Sequence, residues 1–149
     1  MFAARLWWSL QYYGHEKVYV LDGGWKKWIA EDRPVESTVP DIAPRTFKPK
    51  IDSSLLKTGR DILNQLESDD IQLIDVRSPL EFNGEASRAK RAGHIPSAIN
   101  LPRKAMVADD GTVLSADMLR MNLASSGIQL DKPELIIYCN SVVSASYGM

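Results

Sequence analysis

Four short runs rich in β-branched and aromatic residues, Lys17–Leu21, Ile71–Asp75, Ala98–Leu101 and Glu134–Tyr138, alternate along this chain with stretches of helical character. Runs of that length bounded by turn residues read as strands, and their alternation with helices points to an α/β fold, a mostly parallel sheet flanked by helices. In open sheets of this kind, chemistry is placed beyond the carboxyl ends of the strands. Cys139 immediately follows Glu134–Tyr138. The loop after that strand is therefore the first candidate for function.

The helical stretches carry their own punctuation. Phe2 to Tyr13 has apolar residues at helical spacing and stops at Gly14, where a glycine suits the first residue past a helix. Asp22-Gly23-Gly24 is a turn, and Trp25 to Ala30 a short second helix. Thr58 caps a helix running to about Glu67, with Asp61 three residues on. Ser78-Pro79-Leu80-Glu81 opens another: Ser78 and Glu81 form a capping box, and Pro79 suits the first helical position. Asp110-Gly111 is a turn, and Ser115 caps a helix ending at Gly127. Between Pro34 and Lys50 the prolines Pro34, Pro40, Pro44 and Pro49 interrupt any period, which makes the stretch a semi-extended linker. At ~3.3 Å per residue it can span several tens of ångströms.

Composition narrows the function classes. The 149 residues are 44% hydrophobic and 25% charged, the balance of a globular domain. A net charge of −1 leaves no electrostatic footprint for nucleic acid or an anionic membrane surface. No apolar run approaches the roughly 20 residues that span a bilayer, and Met1-Phe-Ala-Ala-Arg5-Leu-Trp-Trp8 lacks a signal-peptide layout. The expected location is cytoplasmic, although an address could precede the given sequence. Cys139 is the only cysteine, so neither an intrachain disulfide nor a cysteine-based zinc site can form. His15 and His94 are too scattered to make a metal site alone, and no metal or organic cofactor is expected. A lone cysteine is more often a small buried hydrophobe than a nucleophile. Its place at a strand end is what argues otherwise.

Several phrases, in order, resemble the rhodanese family of sulfurtransferases. Leu73-Ile-Asp-Val-Arg77-Ser-Pro-Leu-Glu81-Phe82 resembles its strand–turn–helix opening. Ala92-Gly-His94-Ile-Pro96-Ser97-Ala98-Ile-Asn100 resembles its Gly-His-Ile-Pro-Gly-Ala motif, with Ser97 where glycine is usual. Leu135-Ile-Ile-Tyr-Cys139 resembles the active-site strand and cysteine. Ala4-Arg-Leu-Trp-Trp8, Tyr13-Gly14-His15 and Val20-Leu-Asp22-Gly-Gly24-Trp25 resemble the end of a rhodanese domain. The order implies that residues 1–36 are the C-terminal part of a first domain, 37–57 a linker, and 58–149 the N-terminal part of a second, cysteine-bearing domain. Such a chain is a piece of a tandem-domain enzyme. Residues 1–36 have the helix–strand–helix form that the second domain would continue into. They are expected to dock there, with Lys17–Leu21 joining the sheet of Ile136–Tyr138, in their own chain or in a domain-swapped homodimer.

The resemblance implies that Cys139 takes the outer sulfur of thiosulfate or 3-mercaptopyruvate as a persulfide and passes it to cyanide or a thiol. The thiolate is the nucleophile. The loop Asn140-Ser141-Val142-Val143-Ser144 is expected to bind the donor through successive backbone N–H groups, aided by the dipole of a following helix. Thiosulfate-type members carry Arg and Lys after the cysteine, and mercaptopyruvate-type members Gly-Ser-Gly; this loop has neither. Val142 replaces a glycine and is strained if its position needs a positive φ. Donor identity stays open.

Arg77 is a candidate anion contact, against the plainer reading that it pairs with Asp75 or Glu81. Arg88, Lys90 and Arg91 either steer an anionic donor or simply face solvent. His94 belongs to a structural motif, and Trp7, Trp8, Trp25 and Trp28 read as core and interface packing. A phosphatase of the related fold needs an arginine six residues after the cysteine, where Ala145 stands. The remaining alternatives are a non-catalytic rhodanese-like binding or regulatory module and an inactive fragment.

Overall fold

The computed structural model describes residues 2–149. Helix α1 (Phe2–Tyr12) is followed by α2 (Gly24–Ala30), α3 (Gly59–Gln65), strand β1 (Ile71–Asp75), α4 (Pro79–Phe82), β2 (Ile99–Asn100), α5 (Ala116–Ser125) and β3 (Glu134–Tyr138). Short 3₁₀ turns cover Ser53–Leu55, Arg103–Met106 and Ala145–Tyr147. Among the described residues no helix is long and apolar enough to cross a membrane.

The sheet is fully parallel, in the order β2-β1-β3. Asp75 at the end of β1 lies level with Asn100 on one neighbour and Tyr138 on the other. Successive β1 side chains serve opposite faces, as the pleat requires. Leu73 packs with Ile136, Ala98, Ile62, Leu66 and Phe82 under α3 and α4. Ile74 and Val76 pack with Leu101, Met106, Ile128, Leu119 and Leu123 under α5. Both faces of β1 are therefore apolar, which is why its sequence reads as a near-continuous hydrophobic run.

The helix starts follow their cap chemistry. Thr58 with Asp61 and Ser78 with Glu81 both form complete capping boxes, and Pro79 takes the first position of α4. Ser115 accepts from the Met118 N–H at the start of α5. Three helix ends, those of α1, α4 and α5, need a residue with positive φ and have glycine there, with Gly84 (φ 82) serving α4. Gly14 (φ 83) ends α1, its N–H donating to the Gln11 carbonyl while His15 N–H reaches back to Leu10. Gly127 (φ 80) does the same for α5, with Ile128 N–H bonded to the Leu123 carbonyl.

Two expectations fail. Lys17–Leu21 forms no strand and joins no sheet; Tyr19 is 90% exposed, and Val20 and Leu21 are also open to solvent. A β-prone run becomes a strand only against a partner edge, and this one has none. After Cys139 the chain makes only the 3₁₀ turn Ala145–Tyr147, so the helix dipole expected to face the loop is missing.

Residues 2–36 nevertheless pack on the rest of their own chain. α1 lies against the Ala145–Tyr147 turn, and the Trp8 indole N–H donates to the Leu55 carbonyl at 3.3 Å. The far end of the proline-rich stretch returns to α1 through Lys50 N–H to Tyr13 and Asp52 N–H to Tyr12. Asp22 accepts from the Val113 N–H at 2.8 Å, and Lys27 pairs with Asp110. Of the four tryptophans, Trp25 departs from the packing role: it is 67% exposed.

Candidate active site

The ends of all three parallel strands converge on one region. The carboxyl end of β1 is held by its own charge pair. Asp75 is fully buried, and its carboxylate takes a two-pronged bond from the Arg77 guanidinium, with Nε at 3.0 Å and Nη2 at 2.6 Å. Arg77 also donates to the Gly93 carbonyl at 2.8 Å. The bond to Asp75 holds the Arg77 proton more tightly than usual. The Tyr138 ring lies 5.8 Å from the guanidinium. Its hydroxyl accepts from the Ile95 N–H, and burial pushes its pKa up to about 12. A largely buried pair bonded through both Nε and Nη2 braces the strand ends. Arg77 thus takes the plainer of its two expected roles, although it still borders the cleft in front of Cys139.

The loop after β2 is clamped to the same place. Asn100 donates through Nδ2 to the carbonyls of Asp75 (2.8 Å) and Arg77 (3.2 Å). Leu101 and Arg103 donate their backbone N–H to the Asp75 and Val76 carbonyls. His94 stacks on Phe82 with ring centres 3.6 Å apart and bonds the Phe82 carbonyl through Nδ1, a packing role as the sequence suggested.

Cys139 leaves β3 half-buried, its side chain packed against the Ile74–Val76–Leu101 cluster. Among the described residues, the backbone N–H groups of Asn140, Ser141, Val142, Val143 and Ser144 find no acceptor within the chain. A run of unpaired donors is the raw material of an anion-binding nest. Val142 has φ 65, the left-handed conformation that a β-branched residue strongly disfavours. Ser97 has the same φ. Both are places where the family resemblance implies a glycine and another residue stands.

The Asn140 amide ties the loop to α4 by donating to Glu81 Oε1 at 2.7 Å. The other Glu81 oxygen closes the capping box with Ser78. The Asn140 bond, and the Ser78 bonds after it, hold the Glu81 pKa below its ordinary value.

Cys139 borders two cavities. Behind it lies an apolar space of about 380 Å³ walled by Trp8, Leu55, Ile136, Tyr138 and Val142. In front is a cleft of about 530 Å³, lined by Cys139, the loop residues Asn140, Ser141, Val143 and Ser144, and the side chains of Arg77, Glu81, Arg88, Arg103 and Lys104. The structure therefore brings Arg77 and most of the loop together with Cys139; Val142 faces the rear cavity instead. Arg88 reaches the front cleft, and Lys90 and Arg91 are not part of its lining. Arg103 and Lys104 were not singled out from the sequence. The signal was there: they follow β2 as Arg77 follows β1, beyond the carboxyl end of a parallel strand.

Comparison with known proteins agrees with this layout. Residues 58–148 match the model of the rhodanese-like domain. The chain is 38% identical over 145 residues to a putative thiosulfate sulfurtransferase of Haloferax volcanii, covering 93% of this chain and 50% of that protein. It is 32% identical to the 3-mercaptopyruvate sulfurtransferase of Homo sapiens, covering 97% of this chain and 50% of the relative. Among solved structures, SseA from Escherichia coli superposes with a TM-score of 0.83 at 30% identity, over 97% of this chain and 54% of that one. The chain thus spans about half the length of the curated relatives it matches.

Proposed function

The chain belongs to the rhodanese-like family, and from that membership we propose that it is a sulfurtransferase in which Cys139 carries the sulfur as a persulfide. The observation that carries this reading is the position of Cys139. It stands at the carboxyl end of β3, open to a cleft with basic walls, and is followed by five backbone donors with no partner in the chain. A thiolate is stabilised in such surroundings, and so is an anionic donor approaching it.

The first half-reaction is a displacement at sulfur. With thiosulfate, the Cys139 thiolate forms a bond to the outer sulfur while the S–S bond of the donor breaks, and sulfite leaves with the electron pair. With 3-mercaptopyruvate the carbon–sulfur bond breaks instead, and the pyruvate enolate that leaves takes up a proton. In the second half-reaction cyanide or an acceptor thiolate bonds the outer sulfur of the persulfide. The Cys139–sulfur bond breaks and the thiolate is restored. No step needs a metal or an external electron acceptor.

Mass spectrometry of the chain after incubation with thiosulfate or 3-mercaptopyruvate tests the reading. The protein should gain the mass of one sulfur and lose it on adding cyanide, with thiocyanate released. Equal loading of the Cys139→Ser variant would refute it. No loading of the unaltered chain by either donor would favour a non-catalytic module.

A further inference from the structure

Four cationic side chains border the front cleft, and they are not equivalent. Arg77 is committed: Asp75 takes two of its nitrogens and the Gly93 carbonyl shares one. Its charge is offset by a fully buried carboxylate. Arg88 sits on an exposed loop between α4 and β2, away from any strand end. Among the described residues Arg88, Arg103 and Lys104 form no ion pair. Arg103 and Lys104 differ from Arg88 in being anchored at the sheet. Their backbone is fixed where they start, by the Arg103 N–H to the Val76 carbonyl and by Asn100 and Leu101 gripping the end of β1.

The Arg103 guanidinium lies 6.0 Å from the centre of the Tyr147 ring, on the turn that follows the Cys139 loop. That contact leaves the N–H fork of the guanidinium free, since an aromatic face takes none of its hydrogen-bonding capacity away. Among the described residues the only carboxylate lining the cleft, Glu81, is already occupied by Asn140 and Ser78.

We propose that Arg103 and Lys104 form the anion-receiving wall of the Cys139 cleft and select donors that carry a negative charge beside the sulfur to be transferred. The inference rests on the sulfur-transfer reading for the identity of the donor, but not for the electrostatics of the cleft. It assigns to the turn after β2 a task that the Cys139 loop, with no basic residue of its own, does not perform. In this arrangement the backbone donors of Asn140–Ser144 surround the thiolate and the reacting sulfur. The sulfonate of thiosulfate or the carboxylate of mercaptopyruvate points across the cleft to Arg103 and Lys104.

The electrostatic part can be read without any sulfur donor. Iodoacetate and iodoacetamide alkylate a thiolate by the same chemistry and differ in charge, so the ratio of their rates at Cys139 reports attraction of an anion to the cleft. A change in the cysteine pKa, or a general loosening of the loop, moves both rates together and cancels. In Arg103→Gln/Lys104→Gln the ratio should fall about three- to tenfold at low ionic strength, the size expected for two partly solvated charges several ångströms from the reagent. Raising the salt should shrink the difference. Arg103→Lys should keep most of the ratio, and the exposed single variant Lys104→Gln gives a reading even where removal of Arg103 disturbs folding. An unchanged ratio in the double and Lys104 variants overturns the proposal. Parallel loading with thiosulfate separates the two readings. A chain that takes no sulfur but loses its preference for iodoacetate refutes the function and leaves the wall in place. A chain that takes sulfur with an unaltered ratio does the reverse.

Discussion

Ser97 and Val142 share φ 65 but differ in what surrounds them, and the pair yields a sharp prediction. A non-glycine residue in the left-handed region costs roughly 1–2 kcal/mol. Glycine removes that cost but loses about 0.5–1 kcal/mol through its larger unfolded-state entropy. Ser97 is exposed and among the described residues its hydroxyl has no hydrogen-bond partner, so nothing else enters. Ser97→Gly should stabilise the protein by about 0.5–1 kcal/mol, the difference between those two effects. For a chain of this size that is a rise in Tm of roughly 1–4 °C. Val142 is half-buried and walls the rear cavity with Trp8 and Ile136. Removing its side chain gives up about 1 kcal/mol of burial, some half of the value for a fully buried valine. Val142→Gly should therefore leave stability within about 0.5 kcal/mol of the unaltered chain, strain relief and lost packing offsetting each other. Urea melts of the three proteins, with the slope checked for constancy, measure both. A Ser97→Gly variant less stable than the parent would refute the reasoning, because it would mean that the left-handed turn carries no strain for glycine to relieve.

Asp75→Ala should destabilise the chain by about 3–5 kcal/mol, since it strands the Arg77 guanidinium beside buried neighbours; denaturant melts that show a loss below 1 kcal/mol would contradict the bracing role. The Glu81 bond to the Cys139 loop should have a pH signature. A carboxylate whose folded pKa lies below its ordinary 4.5 contributes stability above that value and loses it as pH falls through the folded pKa. The gap in Tm between the unaltered chain and Glu81→Gln should accordingly be present at pH 6 and close in mildly acidic solution below pH 4.5, and a gap that widens on acidification would have the wrong sign.

What the sequence made legible was mostly local. The caps at Thr58, Ser78 and Ser115 and the stop at Gly127 are contained within a few consecutive residues, and each appears in the structure as the sequence implied. Ile71–Asp75 and Glu134–Tyr138 have the same bounds in sequence and structure, because a strand covered on both faces is apolar along most of its length. Lys17–Leu21 has equal β-propensity and fails. Whether a run pairs depends on an edge that lies elsewhere in the chain, and propensity carries no information about that edge. The same limit applies to Arg103 and Lys104. Their residue types do not distinguish two functional cations from two solvated ones; their place just after the Ala98–Leu101 run is the one sequence signal, and it does not say what the two side chains face.

What distinguishes them is topology. β1 is the central strand, so the residues leaving its neighbours β2 and β3 emerge on either side of the Asp75–Arg77 pair. The stretch after β3 contributes a nucleophile and backbone donors but no cation. The stretch after β2 contributes cations but no nucleophile. The residues after β1 commit their one cation to holding the other two stretches in place: Arg77 gives its carbonyl to Asn100, and its guanidinium lies by Tyr138. Each stretch alone is chemically incomplete, and only the parallel register that sets Asp75 level with Asn100 and Tyr138 assembles them. A cation wall supplied by β2 also frees the Cys139 loop from carrying charge of its own. That is the physical reason a loop reading Asn-Ser-Val-Val-Ser need not signal a defective site.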